Sequence, residues 1–70
     1  MIDENTIKHC KLNKNILELK IKNTEHAIYQ SQQIISESEM DTKSLLYLKR
    51  KIAESLNDLE ILNLIKLNKL

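Results

Sequence analysis

At 70 residues the chain has room for a single domain, residues 1–70. It contains no Gly and no Pro, the residues that most sheet folds need at their turns. A net charge of +1 creates no large single-sign field, which argues against non-specific nucleic-acid binding.

Strand formers are equally scarce. There is no Val, Phe or Trp, and the only aromatic residues are Tyr29 and Tyr47. The apolar mass is Leu and Ile set among Lys, Glu, Asn and Ser, and Leu, Lys, Glu and Gln are good helix formers. The expected class is all-α. A lone cysteine, Cys10, cannot close an internal disulfide and fits a reducing cytosol. The acidic start Met1-Ile2-Asp3-Glu4 does not read as a secretory signal. No stretch approaches the ~20 apolar residues of a membrane span. A cytoplasmic location without stable membrane insertion is expected.

In chain order, the first helical region covers about residues 6–35. Its heptad set is Ile7, Cys10, Lys14, Leu17, Ile21, Thr24, Ile28, Ser31 and Ile35, of which six are apolar. Leu12, Ile16 and Leu19 form a shorter stripe beside it. Asp3, Asn5 or Thr6 can cap the start. Asn23-Thr24-Glu25 can restart a helix, so this region is either continuous or broken near residue 23. Residues 36–44, Ser-Glu-Ser-Glu-Met-Asp-Thr-Lys-Ser, lack apolar periodicity and mark the turn. Asp41 is the expected cap of the next helix, because its carboxylate can accept from free backbone N–H groups.

The last helix is expected over residues 42–68, with Leu45, Leu48, Ile52, Leu59 and Leu62 on one face and Leu56 broadening it. Two long helices of this kind predict an antiparallel helical hairpin; three helices with a short first one are the alternative. From residue 59 the pattern changes: Leu59, Ile61, Leu62, Leu64, Ile65, Leu67 and Leu70 point around most of the circumference. A helix apolar nearly all round has to be buried nearly all round, and one hairpin arm covers only one side. A chain this short also buries too little surface to be comfortably stable alone. Another protein chain, identical or not, is therefore the expected partner, with a tighter internal core or a membrane interface as the rivals. Leu59, Leu62 and Ile65 are assigned to the interior. Ile61, Leu64 and Leu67, with Leu56 and Leu70, are assigned to the partner contact.

No residue set supports chemistry. His9 and Cys10 are neighbours, about 100° apart on a helix, and His26 is distant, so the three or four ligands of a zinc site are not assembled. Cys10 reads as a small buried hydrophobe. Arg50 is the only arginine, and no Gly-rich phosphate loop or Ser/His/acid set is present. No catalytic residue, cofactor or metal is expected. Lys49-Arg50-Lys51 is the only basic run, with Glu54 placed to pair with Arg50. It reads as a solvated face, with a nucleic-acid contact as its rival.

The layout of a short chain, a polar mid-chain turn and a final helix running from Asp41-Thr-Lys-Ser-Leu-Leu-Tyr-Leu to Leu62-Asn-Leu-Ile65 resembles the small co-chaperones of bacterial type III secretion needle subunits. The likeness covers roughly residues 34–67. It implies a cytoplasmic helical hairpin that binds a tetratricopeptide-like chaperone, the pair keeping the needle subunit unpolymerised. The expected function is thus a non-enzymatic adaptor, homo- or hetero-oligomeric. The alternative is a small helical regulator that associates with nucleic acid or sequesters a toxin or sigma factor.

Overall fold

The computed structural model describes residues 2–70, and within them the chain is all-helical with no strand. Three helices follow in order: α1 (Glu4–Leu12), α2 (Lys14–Glu37) and α3 (Thr42–Lys66). The two-helix hairpin expected from the spacing is corrected here. The first region is divided, and the division falls at Asn13 rather than near residue 23.

Local hydrogen bonding explains where the chain breaks. Asn13 adopts an extended conformation (φ −138°, ψ 107°) and serves both flanking helices. Its backbone N–H closes α1 on the His9 carbonyl at 3.0 Å. Its side-chain oxygen accepts from the N–H groups of Asn15 at 2.9 Å and Ile16 at 3.4 Å, satisfying donors that a helix start leaves orphaned. At residue 24 the polar side chain does the opposite. The Thr24 hydroxyl donates to the Lys20 carbonyl at 2.7 Å, so its hydrogen-bonding capacity is spent inside a continuous helix.

The remaining ends are closed in the same way. Asp3 caps α1 by accepting from the Thr6 N–H at 2.9 Å, and Asp41 caps α3 by accepting from the Ser44 N–H at 3.1 Å. Hydrogen bonds from Thr6 hold the Asp3 carboxyl below its ordinary 3.8, and bonds from Ser44 do the same for Asp41. At the end of α3, Asn68 takes a left-handed conformation (φ 58°). The Asn68 N–H reaches the Ile65 carbonyl and the Lys69 N–H reaches the Leu64 carbonyl, at 3.1 and 2.8 Å. This is the Schellman arrangement, with Asn in the place glycine most often fills.

α2 and α3 run antiparallel. Glu18 near the start of α2 lies 3.4 Å from Lys66 at the end of α3, and Ile34 shares a groove with Tyr47 and Leu48 at the other end. α1 packs against both. The core sits where all three meet: Cys10 from α1, Leu17 and Ile21 from α2, Leu62 and Ile65 from α3, with Ile2, Ile7, Leu59 and Ile61 packed around them. Cys10 and Leu62 are the most deeply buried, each 1% exposed. Ile28 is buried farther along α2, but Ile35, Leu45, Leu48 and Ile52 stay half-buried. α1 has nine residues, about 14 Å of helix, in a molecule 42 Å long. It completes the core at one end only.

Candidate protein-binding surface

Each helix residue turns about 100° from the last, so α3 divides into flanks. Its core flank carries Leu62 and Ile65. A neighbouring flank carries Leu56 and Leu67, which are 51% and 65% exposed. Together with half-buried Leu59 and Leu64 they line a shallow groove of about 330 Å³, bordered by the polar side chains of Glu60 and Asn63. These are large apolar side chains at helical spacing with water on one side, the arrangement that accepts the apolar stripe of another helix.

The five residues assigned to a partner separate into three groups. Leu56, Leu64 and Leu67 come together in this groove. Ile61 does not join them; it packs against the central core with Ile2 and Ile7, because the third helix occupies space that a two-helix fold would leave open. Leu70, 48% exposed, lies at the end of the bundle, lining a separate cleft of about 470 Å³ with Cys10, Leu17 and Ile65. Leu59, assigned to the interior, is shared between core and groove. On the outer flank of α3 the sequence reading missed Leu46, 55% exposed. Its signal is the spacing Leu46, Ala53, Glu60, Leu67, a seven-residue repeat one position out of step with the core series beginning at Leu45.

The remaining candidates are dispersed. Cys10 is a free, buried thiol, whereas His9 and His26 are exposed on different helices. Among the described residues no cluster of three His, Cys, Asp or Glu side chains could hold a metal ion. Lys49, Arg50 and Lys51 are all exposed on α3, but as consecutive residues they fan over about 200° of its circumference. Lys51 sits 5.8 Å from the centre of the Tyr47 ring, a cation–π contact worth ~0.5–1 kcal/mol at an exposed site. The Lys66–Glu18 ion pair is also solvated, with both side chains more than half exposed, and contributes ~0–1 kcal/mol. No helix among the described residues is long and apolar enough to cross a membrane.

No family model, curated protein or solved structure matches this chain.

Proposed function

We propose that the chain is a non-enzymatic protein-binding adaptor that works by burying the outer flank of α3 against a helix of another protein. The observation that carries this is the groove formed by Leu56, Leu59, Leu64 and Leu67, apolar side chains left at the surface although α1 and α2 already cover the core flank. Burying apolar surface contributes ~25 cal/mol per Å², so a helix laid into the groove gains affinity without covalent chemistry. Because only the folded adaptor offers the groove, binding also stabilises the complex by mass action. The resemblance of residues 34–67 to needle-subunit co-chaperones supplies the first client to test, a tetratricopeptide-like chaperone.

The deciding experiment is affinity capture from the native cell with the unchanged chain, Leu56→Asp and Leu67→Asp. Both positions are exposed, so each variant folds alone; in a complex each would bury an unpaired carboxylate, at a cost of several kcal/mol. Wild type should retain a stoichiometric partner that both variants lose while keeping their circular-dichroism spectra. Equal retention by the variants would remove this flank as the binding surface.

A further inference from the structure

We infer that a second copy of this chain pairs with the outer flank of α3, antiparallel and about a two-fold axis passing between Ala53 and Leu56. This rests on the reading of the flank as a protein-binding surface and names one occupant for it.

The register carries the inference. Exposed positions 46, 49, 53, 56, 60 and 63 of α3, with Leu67 at its C-cap, follow the alternating three- and four-residue spacing of a coiled-coil seam. When two such seams run antiparallel, residues whose numbers add to 109 face one another. Ala53 then meets Leu56 of the second copy, so the smallest side chain of the seam lies opposite a large one at the crossing point. Lys49 meets Glu60 of the second copy, and the two-fold repeats that pair on the other side of the axis. Leu46 meets Asn63 of the second copy.

Charge fixes the direction. Within one chain Lys49 and Glu60 lie three turns apart on α3, and neither forms an ion pair among the described residues. Antiparallel pairing joins both at once. Parallel pairing in register would set Lys49 against Lys49 and Glu60 against Glu60, which is repulsive at both places. The self-complementarity therefore selects one orientation. The seam includes Leu56 and Leu67 of the groove, so self-pairing and client binding exclude each other.

Sedimentation equilibrium on the full chain and three charge variants tests this. Wild type should be dimeric. Lys49→Glu and Glu60→Lys should each weaken the dimer by about tenfold or more. The double variant K49E/E60K, whose charges are exchanged rather than removed, should dimerise again. Mixing the two single variants should give a heterodimer, because each then offers the charge that the other lacks. A wild type that stays monomeric across the concentration range, or a dimer that neither single variant weakens, overturns the pairing. Client capture separates this from the adaptor reading. A monomeric wild type whose capture of a client still requires Leu56 and Leu67 overturns only the self-pairing. A charge-dependent dimer whose Leu56→Asp and Leu67→Asp variants capture as well as wild type upholds the pairing and overturns the adaptor surface.

Discussion

Leu62→Ala probes whether the three-helix junction is the source of stability. Leu62 is 1% exposed and belongs to a cluster drawing on all three helices, so truncation leaves a cavity that no single helix can close. Such core substitutions cost ~2–5 kcal/mol, from lost transfer energy plus the residual void. A chain of 70 residues, at ~0.05–0.15 kcal/mol per residue, has about 3.5–10 kcal/mol in total. The variant should therefore lose about a fifth of its stability or more. Leu56→Ala is the matched control: the same atoms are removed at a position 51% exposed, where effects stay within about 0.5 kcal/mol. Urea denaturation followed by circular dichroism, on protein dilute enough to be monomeric, measures both. An unfolding free energy for Leu62→Ala within ~1 kcal/mol of that for Leu56→Ala would show that the packing around residue 62 is not what holds the fold.

Three further tests address the helix ends and α1. Asn13→Ala removes a side chain that accepts from two N–H groups; it should cost ~1 kcal/mol, and unchanged stability would mean that the break at 13 is held by packing alone. Asn68→Ala should lose ~1 kcal/mol, because at φ of 58° Ala carries the Cβ penalty without the short polar side chain that lets Asn tolerate this region, while Asn68→Gly should match or exceed wild type; thermal melts rank the three. The caps should weaken in acid: both Asp3 and Asp41 are held below 3.8, so their stabilisation is complete above that value and is lost as pH falls through the lower folded-state values. Amide shifts of Thr6 and Ser44 through an acid titration report it, and a titration midpoint at or above pH 3.8 would contradict the capping geometry.

Much of the fold was legible because periodicity and burial agree at particular positions. Cys10, Leu17, Ile21 and Ile28 fall on the seven-residue series of the first region, and all four are buried. Asp41 caps α3 as a short acidic side chain at a turn should. The break was misplaced because Asn13 and Asn23 carry the same local signal. A cap forms only where the chain gains by turning, and α1 gains by turning at 13, since this sets Cys10 against Leu62 and Ile65. Lys14, the one charge on that series, was the local trace of that turn. Ile61, assigned to the outer flank from the spacing, packs against the central core, because a two-helix fold has no third element to cover it.

The division of α1 from α2 also explains why the exposed flank survives. α1 reaches only the end of the bundle where Leu62 and Ile65 lie, and the distal half of the α2–α3 pair is left with half-buried side chains at Ile35, Leu45, Leu48 and Ile52. Covering the flank that holds Leu56 would take a longer α1 or a fourth helix, and neither exists among the described residues. Leaving Leu46, Leu56 and Leu67 exposed in so small a chain forfeits burial that it can ill spare. The same three positions carry the seam on which Lys49 and Glu60 become complementary across a two-fold. The apolar side chains that a single copy cannot bury are thus in register with charges that a single copy cannot pair.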